Sequence, residues 1–191
     1  QFNYVLKNKQ LFAAKYTEEK VNEKIKNVYN ASLTNCIRKK DDQGYQDIRS
    51  IIEKSNDSNS ESILFNADLS YYSMKKDWDN YAKQASLYTD KYFATSPGTL
   101  NQIAWTFYEN VTDKNMLAKA EGWAKKSIEI KDGYANHDTY AAVLYKFGKY
   151  KDAKQAAEDA ITLAKKDGED FKETQALLDK INAQLSSGGS H

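Results

Sequence analysis

Proline is almost missing from this chain: Pro97 stands alone among 191 residues, and glycine occurs eight times. So few breakers exclude a loop-rich chain and leave long helices as the expected elements. Cys36 is the sole cysteine, which rules out an intramolecular disulfide, a CxxC motif and a thiolate zinc cluster. It shares a helical face with Val21, Ile25, Val28 and Ser32, so it reads as a small buried apolar residue. Histidine is limited to His137 and His191, so a Ser or Cys nucleophile has almost no choice of base. His137 itself is expected to be structural. Arginine is limited to Arg38 and Arg49, which leaves bidentate phosphate or guanine recognition with little to work with. The 28 basic and 27 acidic side chains are interspersed for a net charge of +1, so no nucleic-acid partner is expected. No apolar run approaches the roughly 20 residues of a membrane span, so no membrane insertion is expected. The phosphate-binding patterns GxxxxGK and GxGxxG do not occur, and no cofactor is expected. The opening Gln1–Tyr4 has no basic or hydrophobic leader pattern, and because a chain without an initiator Met can be a processed or truncated product, a cytosolic setting does not follow.

The composition supplies 40% hydrophobic and 13% aromatic residues, enough for one or two cooperative units with a real core. Its dominant pattern is a repeated register. Ala153, Ala157 and Ala160 recur 33 residues earlier as Ala120, Ala124 and Ser127, and 39 residues earlier again as Tyr81, Ala85 and Tyr88. Spacings of four and three keep each trio on one helical face. Trp78, Leu117 and Tyr150 precede the trios by three residues. A repeat of this length means stacked helix pairs.

Read along the chain, the pattern predicts about ten helices. The first covers Phe2 to Lys15. A long one begins after Thr17 as N-cap, carries Val21, Ile25, Val28, Tyr29, Leu33, Cys36 and Ile37, and ends at Arg38, Lys39 and Lys40. Gly44 lies just before a shorter helix with Tyr45, Ile48, Ile51 and Ile52. The serine- and asparagine-rich stretch from Ser55 to Ser62 is the clearest loop. It separates an N-terminal helical part, residues 1–57, from helical repeats over 58–185. Three hairpins are then expected: Ile63 to Met74 with Asp77 to Phe93, Leu100 to Tyr108 with Asn115 to Ile130, and a third punctuated by Gly133 and Gly148 and ending near Gly168. Ser96-Pro97-Gly98 forces a break, and Asn110 to Lys114 is a longer turn. A last helix, Asp170 to Leu185, caps the stack. Residues 186–191 read as a linker leading into a purification tag and are set aside. Asn30-Ala-Ser and Asn110-Val-Thr match the glycosylation sequon and carry little weight.

Tyr140, Ala141, Leu144, Gly148, Tyr150, Ala153, Ala157 and Ala160 resemble the tetratricopeptide repeat, although its frequent Trp, its Leu-Gly pair and its closing proline are missing. The resemblance implies an all-α fold of stacked antiparallel helix hairpins in a right-handed superhelix. In such stacks the first helix of each hairpin lines an inner groove. The groove slots here hold Asn101, Trp105 and Tyr108 in the second hairpin and Asp138, Ala142 and Tyr145 in the third. Trp and Tyr suit a peptide-binding wall because they bury large area at low entropy cost and keep a polar handle. With Asp138 in one of the slots that clamp a peptide's terminal carboxylate, recognition of chaperone tails is disfavoured.

Over Phe2 to about Ile181 the chain, through strings such as FNYVLKNKQLFAAKYTEEKV, NQIAWTFYENVTDKNMLAKAEGWAKKSIEI and NHDTYAAVLYKFGKYKDA, resembles the C-terminal helical region of a group of bacterial thioredoxin-family proteins. The resemblance implies a periplasmic or envelope setting, with a thioredoxin-like domain of the same parent chain among the partners. Thiol-disulfide oxidoreductase activity would belong to that domain, since no CxxC lies here. The expected function is a non-catalytic scaffold that binds a protein or peptide. Its rivals are a spacer that positions a redox domain and an enzyme of unrecognised class built around His137.

Overall fold

The computed structural model describes residues 2–55 and 59–187, and every regular element among them is an α-helix. In chain order these are α1 (Phe2–Lys7), α2 (Lys9–Tyr16), α3 (Glu18–Lys39), α4 (Asp42–Lys54), α5 (Ser60–Lys75), α6 (Trp78–Tyr92), α7 (Pro97–Asn110), α8 (Lys114–Ile130), α9 (Tyr134–Phe147), α10 (Tyr150–Asp167) and α11 (Lys172–Ser187). They form two compact units that divide between Asp77 and Trp78.

The spine of the first unit is α3. Thr17 caps it by accepting the Lys20 N–H, Glu18 and Glu19 lie in its first turn, and Arg38 and Lys39 in its last, each sign matching the helix dipole. Val21, Ile25, Tyr29, Leu33 and Cys36 form its buried stripe, at the spacing the sequence predicts. Burial pushes the Cys36 thiol above its ordinary pKa, with nearby Asp41 adding to the effect. Tyr45 and Ile52 of α4 and Ile63, Leu64 and Tyr71 of α5 complete this core. The unit boundary therefore lies after α5, whereas the sequence divides the chain at 57/58.

Local details differ from expectation for physical reasons. Asn8 splits the single helix expected over Phe2 to Lys15, because its side-chain amide donates to the Tyr4 carbonyl at 2.8 Å and competes with helical bonding. Gly44 lies inside the first turn of α4 rather than before it. Asp41 caps that helix and accepts the Gly44 N–H at 2.9 Å, and a Cβ on Gly44 would stand 2.2 Å from an Asp41 carboxylate oxygen. The loop expected over Ser55 to Ser62 ends early, since Ser60 already opens α5 and its hydroxyl pairs with that of Ser55 at 2.9 Å. Asn56 to Ser58 lie outside the described residues.

The second unit repeats its packing. Ala120, Ala124 and Ser127 on α8 and Ala153, Ala157 and Ala160 on α10 are all fully buried, so the small-residue register marks the closest helix contacts. On α6 the register differs: Tyr81, Ala82, Ala85 and Thr89 are buried and Tyr88 is only half-buried. The Tyr81 ring meets Phe107 edge-on at 6.2 Å, a contact that Ala in its place would not make. The step of 33 residues also appears in bonds between elements, from Lys119 Nζ to the Ser86 carbonyl at 2.9 Å and from Trp123 Nε1 to Asp90 Oδ1 at 2.8 Å.

Helix ends complete the frame. Pro97 is the first residue of α7, where its missing N–H costs nothing, so that helix starts before Leu100. Asp113 caps α8 by accepting the Met116 N–H at 2.9 Å. Gly148 and Gly168 end α9 and α10 in the left-handed conformation, with φ of 88° and 75°. Helix α11 packs on α10 and α9 through Leu177, Leu178 and Ile181. Ser186 and Ser187 belong to α11, and the remaining residues of the tag-like tail lie outside the described residues.

Candidate functional site

Helices α7 and α9 lie side by side in the second unit, with α8 and α10 behind them. Leu100, Ile103, Ala104 and Phe107 of α7 turn to the core, which leaves Asn101, Trp105 and Tyr108 along the next strip of its surface. On α9, Ala141 and Leu144 are buried, and Asp138 and Tyr145 lie beside them in the half-buried class.

The aromatic members come together. Trp105 and Tyr108 pair at 5.1 Å between ring centroids, and both pack on the cluster that contains Ala141, Ala142 and Leu144. Tyr145 packs on the same cluster and meets Tyr150 at 5.7 Å. Burial raises the Tyr108 phenol above its ordinary pKa, and the neighbouring Tyr145 and Asp138 add to the shift, which puts the three polar tips within electrostatic reach. Asn101 differs: its side-chain oxygen is enclosed and accepts no hydrogen bond among the described residues.

Asp138 and Ala142 face inward instead. Thr174 of α11 donates its hydroxyl proton to Asp138 Oδ1 at 2.6 Å, so the Tyr134 hydroxyl, 2.9 Å from the Thr174 oxygen, donates to it in turn. Burial raises the Asp138 carboxyl above the usual carboxylate range, Thr174 opposes the shift and Glu173 adds to it. Ala142 is 1% exposed. The terminal helix thus takes up part of the strip expected to face a partner.

Lys146 is the residue that pattern reading missed. Its ammonium lies 5.9 Å from the Tyr108 ring centroid and donates to the Tyr108 carbonyl, and burial alone lowers its pKa. The only signal in the sequence was its position directly after Tyr145. The side of α9 that bears His137 has another character. His137 pairs with Asp132 at 2.8 Å and borders two open clefts of about 430 and 350 Å³ that share Ile128 and Asp159. Among the described residues no group of three or more His, Cys, Asp or Glu side chains is placed to hold a metal ion.

The first unit holds a second polar constellation. Asp68 on α5, 1% exposed, accepts the Tyr45 hydroxyl at 2.6 Å and Arg49 Nε and Nη2 at 3.1 Å each. Arg49 also pairs with Glu53. The rings of Tyr45 and Tyr71 stack at 4.0 Å, and the Tyr71 hydroxyl donates to Asp42, which also binds Lys75 at 2.6 Å. Each of these polar groups meets a neighbour, so the constellation clamps α4 to α5. No family model matches this chain, and comparison with curated proteins and with solved structures finds no match.

Proposed function

We propose that this chain is a non-catalytic scaffold of tetratricopeptide-like helix pairs, stacked as a right-handed superhelix, that holds a protein or peptide against Trp105, Tyr108 and Tyr145. The observation that carries the reading is the convergence of those half-buried rings on two neighbouring helices, with the Lys146 ammonium beside them. Rigid aromatic faces next to a single charge are what an extended or helical segment needs for a desolvated anchor. The resemblance to the helical region of bacterial thioredoxin-family proteins extends the proposal to an envelope protein whose parent carries a redox domain. Absence of catalysis is part of the same reading, supported by His137, whose one close acidic partner, Asp132, is largely exposed. The capture of Asp138 by Thr174 favours a second reading, a spacer in which α11 fills the strip.

A photo-crosslinking residue at position 145, with one at position 137 as control, separates these readings in the envelope fraction of the native host. The scaffold reading expects a discrete adduct from position 145 and none from 137, diminished by Trp105→Ala at unchanged helicity. A spacer gives no adduct from position 145, and Trp105→Ala then only lowers the melting temperature.

A further inference from the structure

The two clefts that His137 borders share Ile128 and Asp159 as well, so they run together into one groove lined by α8, α9 and α10. Along α10 its lining extends from Asp152 through Ala156 and Asp159 to Leu163. A helix rises about 1.5 Å per residue, which makes this stripe about 16 Å long. Ile128, Tyr140 and Leu163 give the groove apolar surface, and Glu129, Asp132, Asp152 and Asp159 are its carboxylates. Lys125 supplies the one ammonium among the described lining residues. The fold leaves these carboxylates without lysine or arginine partners. Asp159 accepts the neutral Gln155 amide at 3.0 Å, Asp132 meets His137, and neither Glu129 nor Asp152 has an ion pair among the described residues. Lys149 and Lys154 are already taken by Glu121 and Glu158. Burial raises the Tyr140 phenol above its ordinary pKa, with Glu121 and Asp152 adding to the shift and Lys149 opposing it, so the negative field reaches the apolar surface. The acidic groups are strung out rather than gathered: among the described residues no three of them, His137 included, are placed to hold a metal ion.

We infer that this groove binds a linear aliphatic polyamine of the spermidine class, with its ammonium groups along Asp152, Asp159 and Asp132 and its methylenes against Tyr140, Ile128 and Leu163. The alternation selects the ligand. Positive charges separated by short alkyl runs match carboxylates separated by apolar side chains, whereas a compact cation reaches one carboxylate at a time. The methylenes also gain from apolar surface that a metal ion would leave unused. The groove lies on the His137 side of α9, so the inference does not rest on the aromatic face proposed above for a protein partner.

Spermidine, butylamine and magnesium ions, each titrated into the whole chain at matched ionic strength and followed by amide NMR shifts, provide the test. Saturable shifts along the groove faces of α8, α9 and α10 are expected with spermidine, and about tenfold weaker binding with butylamine or magnesium. Asp159→Asn keeps an acceptor for the Gln155 amide and removes the central charge, so spermidine binding should weaken about fivefold at unchanged helicity. Glu158→Gln, on the same helix outside the groove lining, should leave it as it was. Magnesium binding as tight as spermidine, or an Asp159→Asn effect no larger than that of Glu158→Gln, reduces the groove to a general acidic surface and overturns the inference. A protein adduct from the crosslinker at position 137 overturns it too, by assigning the groove to a basic segment of a protein.

Discussion

The first unit fills its interior with large and partly polar side chains: Tyr29, Tyr45, Leu33 and Ile52 are fully buried, and Asp68 lies among them as a carboxylate held by Tyr45 and Arg49. The second unit brings its helices together with almost nothing at the crossing points, where Ala120, Ala124, Ala153, Ala157 and Ala160 are fully buried. Small residues allow close backbone approach, and the same register of them serves both α8 and α10. Large polar cores are particular to one place: the Asp68 network works only with those two partners at those distances. The difference teaches where variation is tolerated. A repeat can change its outward residues freely, and the first unit cannot change Asp68, Arg49 or Tyr45 singly.

The most severe test of that contrast is Asp68→Ala. It leaves the Arg49 guanidinium and the Tyr45 hydroxyl partly buried without their acceptor, and breaking a buried pair in this way costs roughly 3–5 kcal/mol. All three tryptophans lie in the second unit, so fluorescence follows that unit while far-UV circular dichroism follows both. The expected outcome is an early loss of part of the helical signal in urea with the fluorescence transition unmoved. A single transition shifted equally in both signals would show that the two cores are not independent.

The converse test is Ala157→Leu. Ala157 has no exposed surface, and adding three carbons at a helix crossing forces the pair apart at a cost of about 1–3 kcal/mol. Here the fluorescence midpoint should fall while the share of the helical signal owed to the first unit stays in place. Unchanged stability would mean that the small-residue register is not the closest contact.

The same contrast explains what was legible in the sequence. The α8 and α10 registers could be read because periodicity repeats them, and the cap at Thr17 because its chemistry is local. The pairing of Arg49 with Asp68 across 19 residues has no period, and its only trace was a carboxylate inside the apolar stretch from Ile63 to Tyr71. The substitution of Thr89 for Tyr88 on α6 escaped notice because one-residue phase shifts are invisible when both residues can be buried. In the candidate site, Trp105, Tyr108 and Tyr145 were visible as aromatics at helical spacing. Lys146 and Thr174 were not, because each acts through tertiary neighbours: the Tyr108 carbonyl in one case and Asp138 in the other.

Asp138 gives the mildest and most discriminating comparison, because it is the second unit's counterpart of Asp68 with far weaker support. Asp68 receives a phenol and a guanidinium, and Asp138 receives one hydroxyl from Thr174. Burial raises the Asp138 carboxyl, so the folded protein holds that proton to higher pH than the unfolded chain does. Stability from this group is therefore fully present below the ordinary carboxylate pKa and is lost as pH rises through the raised folded value. Asp138→Asn removes the charge and keeps an acceptor for Thr174. It is expected to stabilise the second unit at neutral pH by roughly 1 kcal/mol or less, and the gain should vanish in acid, where the native carboxyl is protonated. Urea midpoints by tryptophan fluorescence at neutral and acid pH provide the measurement. A gain that persists unchanged in acid would mean that something other than charge burial sets the cost of Asp138, and a loss at neutral pH would mean that the carboxylate is better supported than its single hydroxyl partner suggests.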